Sequence, residues 1–170
     1  MKKTIKTFWL IAMASITLGL VLTGCSGSSP VATVGAKAPD FTLQDLDGRA
    51  ISLRGYKGSP VLINFWRIDC YYCVQELPYL QAIYEERQDE GLVMLTIDIG
   101  DSAADVKKFM EDNHYSFPVL LDSQVTVAQT YALQGTPTTF FIDKDGIIRT
   151  KVIGFVSKEG IENNINEIMP

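Results

Sequence analysis

Two cysteines separated by two residues are the side chains in this sequence best suited to chemistry. Cys70 and Cys73 enclose Tyr71 and Tyr72 and follow the nearly continuous apolar run 61–66. That run predicts a central strand buried on both faces, and a helix is expected to begin at the first cysteine. On the first turn of a helix the two sulfur atoms lie on one side, close enough to bond, so the pair is predicted to be redox-active.

The position of the pair gives the two cysteines different expected roles. Free backbone N–H groups and the helix dipole favour a thiolate at Cys70, which makes Cys70 the natural nucleophile. Cys73 should be shielded within the predicted helix 70–88, where it would resolve the mixed disulfide that exchange chemistry requires.

The pair has two alternative interpretations. A purely structural disulfide would close a very short loop and would constrain the unfolded chain little. Half of a zinc site would need further ligands, and besides this pair the sequence offers only Cys25 and His114. His114 stands at a predicted helix end, which favours a surface or capping role.

The rest of the hydrophobic pattern predicts alternating strands and helices. Segments 41–46 and 49–53 alternate in polarity around Asp47-Gly48, which predicts a β-hairpin. The later predictions are a strand at 92–97, a helix opening at Ser102, a strand at 117–121, a short helix at 124–131, strands at 138–142 and 147–152, and an amphipathic helix at 157–168. A parallel crossover followed by a hairpin and a final helix is the layered α/β arrangement of a thioredoxin core.

The first residues of the chain predict export and lipidation. Three lysines precede the uncharged, largely apolar run 8–22, which is typical of a signal peptide and shorter than the roughly 20 residues of a membrane-spanning helix. The end of this segment, 22–25, resembles a bacterial lipobox, which implies a lipoprotein signal peptide over 1–24 and a lipid on Cys25. An uncleaved membrane anchor and a free thiol after a secretory signal are the alternatives.

The remaining chain predicts one domain on a tether. Residues 25–35 are rich in small residues and are expected to form a lipid-anchored flexible tether, and 36–170 a single thioredoxin-like domain. The formal net charge is -5 before three leader lysines are removed, so nucleic acid is not an expected partner. Nothing in the sequence suggests a bound cofactor or metal.

Three segments resemble one family, the extracytoplasmic TlpA/ResA-like thioredoxins. Residues 64–78 resemble its active-site segment, 34–43 its opening and 135–143 its strand after a cis-proline, while 100–122 resemble its central insertion. The resemblance implies a thioredoxin-like α/β fold with an N-terminal β-hairpin extension and a central insertion, in which helices flank a mixed sheet.

The resemblance also implies roles for further residues. Pro137 would follow a cis peptide bond opposite the cysteines, with the backbone of Thr136 available to a substrate strand. Glu76 would lie near the redox pair and influence its proton chemistry, although a solvated helix glutamate is the alternative. From the residues themselves, Tyr71 and Tyr72 cannot both be buried inside the redox loop and are expected to form an apolar platform for a protein substrate.

Two features depart from the family. Asp69 stands where most members have a tryptophan, and a carboxylate beside Cys70 should raise the pKa of that thiol unless Asp69 points into solvent. The dipeptide Tyr71-Tyr72 offers neither a cation nor a histidine to stabilise a thiolate. Both features favour a more reducing couple.

The expected function is reduction of disulfide bonds in exported proteins, with apocytochrome c implied by the resemblance, and with re-reduction by a membrane thiol electron donor. A disulfide-forming oxidant of the same fold is one alternative. A thiol peroxidase would need proline and threonine where Ile63 and Arg67 stand. A Sco-like copper-delivery protein would have three residues between its cysteines and a more distant histidine than His114.

Overall fold

The structure, a computed structural model, describes residues 31–169. The predicted signal peptide at 1–24, the lipidation site Cys25 and the first part of the predicted tether lie outside these residues.

Seven strands and four α-helices make up the described part of the chain. The strands are β1 (Thr42–Asp45), β2 (Ala50–Ser52), β3 (Val61–Trp66), β4 (Val93–Ile99), β5 (Val119–Asp122), β6 (Thr138–Ile142) and β7 (Ile148–Ile153). The helices are α1 (Tyr71–Arg87), α2 (Ala103–Asn113), α3 (Thr126–Thr130) and α4 (Lys158–Ile168). Short 3-10 turns occupy Leu53–Tyr56 and Gln88–Glu90.

The strands form one mixed sheet in the order β2-β1-β5-β4-β3-β6-β7. β3 pairs in parallel with β4, and β4 in parallel with β5, whereas the other pairs are antiparallel. The parallel β3–β4 pair needs a crossover, which α1 provides. The predicted α/β fold is confirmed, with the β1–β2 hairpin added at one edge and the insertion supplying α2 and β5.

The central strand β3 is buried on both faces, as its apolar run predicts. All six of its residues are buried. Leu62 and Trp66 belong to the core cluster that includes α1 and α4, while Ile63 and Phe65 belong to the cluster on the other face. This burial fixes the end of β3, and therefore the loop that follows it, within the core.

The α1 helix begins and packs as the sequence predicts, with one difference at its start. Leu77, Leu80 and Ile83 are fully buried against the sheet. Cys70 is the N-cap residue and Tyr71 the first helical residue, so the first cysteine stands just outside the helix rather than within its first turn.

The domain begins before residue 36, earlier than the predicted tether boundary. Ala32 is 5% exposed and belongs to a core cluster. The N–H of Gly35 donates to the carbonyl of Ile148 at 2.8 Å. The end of the segment predicted as tether is therefore packed against β7, a contact that only the folded sheet creates.

A second boundary differs at β5. Phe117 is buried, but the strand begins at Val119, because Pro118 has no N–H to donate to the ladder. No helix within residues 31–169 has the length and apolarity needed to cross a membrane.

Candidate active site

Cys70 and Cys73 form a disulfide bond at the junction of β3 and α1. The S–S distance is 2.11 Å, and the two Cα atoms are 5.2 Å apart. Four residues separate the last residue of β3, Trp66, from the first residue of α1. The buried strand and the helix thus hold the pair between two fixed points.

The two cysteines differ in exposure and in their position relative to α1. Cys70 is partly exposed, whereas Cys73 is 1% exposed. The Sγ atom of Cys70 accepts a hydrogen bond from the N–H of Cys73 at 3.2 Å. An N-cap sulfur that faces a free helix N–H group is placed to carry negative charge. This geometry suits Cys70 as the attacking thiol and Cys73 as the resolving thiol.

Glu76 lies one turn after Cys73 and is buried, 1% exposed. Its Oε1 accepts from Asn64 Nδ2 at 2.8 Å, and its Oε2 accepts from the N–H of Val156 at 2.6 Å. Burial raises the pKa of Glu76 to about 7, against these two hydrogen bonds, which act to lower it. The solvated glutamate considered as an alternative is therefore wrong.

The residues that form hydrogen bonds to Glu76 were not predicted from the sequence. Asn64 also donates to Thr139 Oγ1 at 2.9 Å, so it links α1 to β6. The feature of the sequence that could have identified Asn64 is that it is the single polar residue inside the apolar run of β3. The contact from Val156 could not be predicted, because a backbone N–H group carries no mark in the sequence.

Asp69 points into solvent beside the redox pair. Its side chain is 71% exposed and forms an ion pair with Arg67, with Oδ1 and Nε 3.0 Å apart. Solvent and the arginine charge both screen an exposed carboxylate. Because Asp69 points into solvent, its charge is expected to have little effect on the pKa of the Cys70 thiol.

The peptide bond between Thr136 and Pro137 is cis, as the resemblance implied. Phe65 pairs with Thr138 across β3 and β6, so the proline lies at the level of Trp66, at the sheet edge where the cysteine loop begins. The carbonyl of Pro137 accepts from Gly154 at 2.8 Å, whereas Thr136 has no backbone hydrogen-bond partner among the described residues. Thr136 can therefore offer its backbone to an incoming strand.

Two exposed aromatic side chains lie between the cysteines, and another exposed aromatic pair includes a residue further along α1. Tyr71 is 70% exposed and Tyr72 is 59% exposed, and their rings meet edge to face with centroids 5.3 Å apart. Phe155, which the sequence analysis did not single out, is also exposed and contacts Tyr79, with ring centroids 6.0 Å apart. Phe155 precedes Val156, so the same loop holds Glu76 and presents an aromatic ring to solvent.

His114 is exposed at the C-terminal end of α2, where it forms the C-cap with a φ of 57°. The prediction of a surface or capping residue is confirmed. Within residues 31–169, no group of three or more histidine, cysteine, aspartate or glutamate side chains is placed to hold a metal ion.

Comparison with known proteins agrees with this geometry. Residues 34–151 match the model of the AhpC/TSA family. The thiol-disulfide oxidoreductase ResA of Geobacillus thermodenitrificans is 38% identical over 137 residues, which cover 81% of this chain and 79% of the relative.

Two solved structures are similar in fold and sequence. The thioredoxin domain of a thiol-disulfide oxidoreductase from Bacteroides vulgatus has a TM-score of 0.71 at 27% identity and covers 81% of this chain and 99% of that domain. The exposed lipoprotein thioredoxin of Streptococcus pneumoniae has a TM-score of 0.68 at 34% identity and covers 75% and 98% of the two chains. Together with the Cys70–Cys73 disulfide, these matches establish that the chain belongs to the TlpA/ResA-like thioredoxin family and is a thiol-disulfide oxidoreductase.

Proposed function

We propose that this protein reduces disulfide bonds in exported proteins, with Cys70 as the nucleophile and Cys73 as the resolving cysteine. The observation that carries the proposal is the difference between the two sulfur atoms. Cys70 is accessible at the N-cap of α1, whereas Cys73 is enclosed by the core.

The reaction transfers two electrons in two exchanges. The Cys70 thiolate attacks one sulfur of the substrate disulfide, so a bond forms to Cys70 and the other substrate sulfur leaves as a thiolate. Cys73 then loses its proton and attacks the Sγ atom of Cys70. This second exchange releases the reduced substrate and leaves the Cys70–Cys73 disulfide, the state of the pair in the structure.

In this proposal Glu76 accepts the proton that Cys73 releases in the resolving step. Cys73 and Glu76 are both buried and lie one turn apart on α1. A carboxyl group whose pKa is about 7 can accept and return a proton near neutral pH. Glu76 would therefore take the proton that Cys73 releases, within a region that bulk water does not reach.

The substrate would dock over the aromatic side of the pair and the cis-proline loop. The rings of Tyr71 and Tyr72 supply exposed apolar surface next to Cys70. The backbone of Thr136 is available to pair with an extended segment of the substrate. This combination favours unfolded or extended protein segments over small thiols.

The reducing direction is supported by what surrounds the thiols. Tyr71 and Tyr72 provide no positive charge, and Glu76 adds a buried acidic group near Cys73. A thiolate that is weakly stabilised in the reduced form corresponds to a low reduction potential. The protein then needs a membrane thiol electron donor that reduces the Cys70–Cys73 disulfide again, and apocytochrome c is the specific substrate we propose.

We further propose that the protein is anchored outside the cytoplasm by a lipid on Cys25. The leader over 1–24 and the small residues before Cys25 support this, and a 34% identical relative is itself an exposed lipoprotein thioredoxin. Labelling of cells with a fatty acid should mark the wild-type protein and leave Cys25→Ala unlabelled. Equal labelling of the two proteins would contradict the assignment.

The exchange mechanism is tested by replacing each cysteine in turn. Cys70→Ser should abolish reduction of a protein disulfide, because no nucleophile is left at the surface. Cys73→Ser should accumulate mixed disulfides between Cys70 and its substrates, which mass spectrometry of the trapped complexes identifies. Full exchange activity in both variants would overturn the proposal.

A further inference from the structure

A second buried carboxyl group lies near the cysteine loop and takes no part in the proposed exchange reaction. Asp98 is fully buried near the end of β4, where it is the register partner of Trp66 in β3. Register partners on neighbouring parallel strands point to the same face of the sheet. Asp98 therefore lies on the face of the sheet that α1 covers, at the same end of the sheet as the loop from β3 to Cys70.

Asp98 is tied to a neighbouring aspartate in the turn after β4. Its Oδ1 accepts a hydrogen bond from the N–H of Asp101 at 3.1 Å. Its Oδ2 has no hydrogen-bond partner among the residues that the structure describes. One oxygen of the buried carboxyl group thus holds the turn, while the other is unsatisfied.

Asp101 in turn holds the loop that carries the nucleophile. Its Oδ2 accepts from the N–H of Ile68 at 3.0 Å. Ile68 stands two residues before Cys70, whose own N–H donates to Arg67 at 3.3 Å. A continuous path of hydrogen bonds therefore connects the buried end of β4 to the cysteine loop.

We propose that Asp101 is a positioning residue for Cys70 and that Asp98 is the buried group that controls how firmly Asp101 holds the loop. This inference rests on the thiol-disulfide exchange activity and is independent of its direction. The control would operate through the charge of Asp98, because a second negative charge beside Asp101 repels the carboxylate that binds Ile68.

The environment of Asp98 determines the pH at which it loses its proton and begins to repel Asp101. Burial raises the pKa of Asp98 to about 8, with further contributions from the charge and the side chain of Asp101, whereas the N–H of Asp101 and the charge of Arg67 act to lower it. At neutral pH Asp98 is therefore protonated, and the loop is held. The other charged groups of this region line the surface cavity that contains Ile68 and Asp101: Asp69, Asp105, Lys108 and Asp112. Glu76, on α1, is a second buried acid on this face of the sheet.

The direct test is the backbone amide of Ile68 in the oxidised protein, where no thiol titrates. We expect its chemical shift to follow a titration with a midpoint near pH 8, and to become independent of pH in Asp98→Asn. The titration should persist in Glu76→Gln, which separates Asp98 from the other buried acid. An Ile68 amide that does not titrate in the wild-type protein, or that titrates unchanged in Asp98→Asn, would overturn the proposal.

Exchange kinetics provide the second test. At neutral pH the rate at which the reduced enzyme reduces a protein disulfide should be equal for the wild type and Asp98→Asn. At a pH above the pKa of Asp98, the variant should reduce the disulfide about fivefold faster than the wild type. This ratio corresponds to about 1 kcal/mol of repulsion, at 1.36 kcal/mol per tenfold change in rate. A ratio that stays at one across the whole pH range would contradict control by Asp98.

A third test compares two variants and separates the positioning role of Asp101 from the general effect of removing an acidic side chain. Asp101→Ala removes the acceptor of the Ile68 N–H and should slow exchange at every pH by about tenfold. Asp105→Ala removes a neighbouring exposed carboxylate that bonds to Ser102 instead, and exchange should be unchanged. Equal effects of the two substitutions would show that Asp101 does not act through Ile68.

Discussion

Two opposing influences act on the pKa of Glu76, and the proton transfer that we propose for this residue depends on the balance between them. Two N–H donors, from Asn64 and Val156, favour the carboxylate, while burial favours the neutral acid. The result is a group that gains and loses its proton near neutral pH. A glutamate on the solvent side of α1 would be ionised throughout this range and could not relay a proton to Cys73.

Replacement of Glu76 by glutamine should slow the resolving step at neutral pH by roughly 100-fold, the low end of the effect of general acid-base groups. The cause is that glutamine cannot accept the proton of Cys73. The rate is measured by following the release of reduced substrate from the mixed disulfide with Cys70. Glu85→Gln, an exposed glutamate on the same helix, is the matched control. Equal resolution rates in Glu76→Gln and wild type would exclude the proposed proton transfer.

Asp69 is adjacent to Cys70 in sequence, but we expect its charge to have little effect on the pKa of the Cys70 thiol. Its side chain is 71% exposed and paired with Arg67. Asp69→Asn should shift the pKa of the Cys70 thiol by less than about 0.5 unit, as measured from the ultraviolet absorbance of the thiolate against pH. A decrease of a full unit would show that the Asp69 charge reaches the sulfur despite its exposure.

Sequence reasoning identified the residues that carry a local pattern. Cys70 and Cys73 follow from their spacing, and the cis bond before Pro137 from a family resemblance. Asp98 was missed because the predicted strand ended before it, and because its burial depends on α1 and β3 rather than on its neighbours in the chain. A buried carboxyl group is recognisable only once the residues that exclude water from it are in place.

Among the elements, those with a strong hydrophobic period were predicted closely, and the differences lie where distant segments meet. The bounds of β3 and β6 agree with the apolar runs that predicted them. Residues 31–35 were assigned to a tether because the segment that contains them is rich in small residues, yet Ala32 is buried. The hydrogen bond from Gly35 to Ile148 joins residues more than 100 positions apart, which no local pattern contains.

One contact of this kind ties α3 to the start of the domain. Tyr131, the C-cap residue of α3, is fully buried, and its hydroxyl group donates to the carbonyl of Pro39 at 2.7 Å. Tyr131→Phe should lower the free energy of unfolding by about 1–2 kcal/mol, because the buried Pro39 carbonyl loses its donor.

Chemical denaturation of the oxidised protein measures this loss, and disulfide exchange should be unaffected, since Tyr131 belongs to the core cluster that does not contain the cysteines. Leu133→Ala, at a half-buried position just beyond Tyr131, provides a comparison in which packing is lost without a hydrogen bond. Unchanged stability in Tyr131→Phe would show that the hydroxyl group is not needed to join α3 to the N-terminal segment.

For the whole molecule, two sets of carboxyl groups respond to pH in opposite directions. Although partial burial acts to raise the pKa of Asp143, hydrogen bonds from Ile147 and Arg149 hold it below its usual value, so its stabilising effect is lost as the pH falls. Glu76 and Asp98 have raised pKa values of about 7 and about 8. Each binds a proton more tightly when folded, so stability falls as the pH rises from about 4 to about 8.

The oxidised protein should therefore melt at a higher temperature near about pH 5.5 than near about pH 8.5. Glu76 alone is expected to contribute on the order of 2 kcal/mol to this difference. Asp98→Asn should melt above the wild type by a margin that grows from mild acid to mild alkali, because asparagine has no proton to lose. Asp122→Asn is the control, since Asp122 is also buried but bonds to α3. A wild-type melting temperature that does not fall towards alkaline pH would contradict the assigned protonation of both buried acids.

The reduction potential of the Cys70–Cys73 couple tests the proposed reductase most directly. The domain is equilibrated in glutathione or dithiothreitol buffers of known potential, and its free thiols are counted. The account predicts a value near or below about -250 mV, on the thioredoxin side of the scale, where the protein donates electrons to exported disulfides. A value near about -120 mV would instead identify an oxidant of newly exported proteins and would contradict the proposed direction.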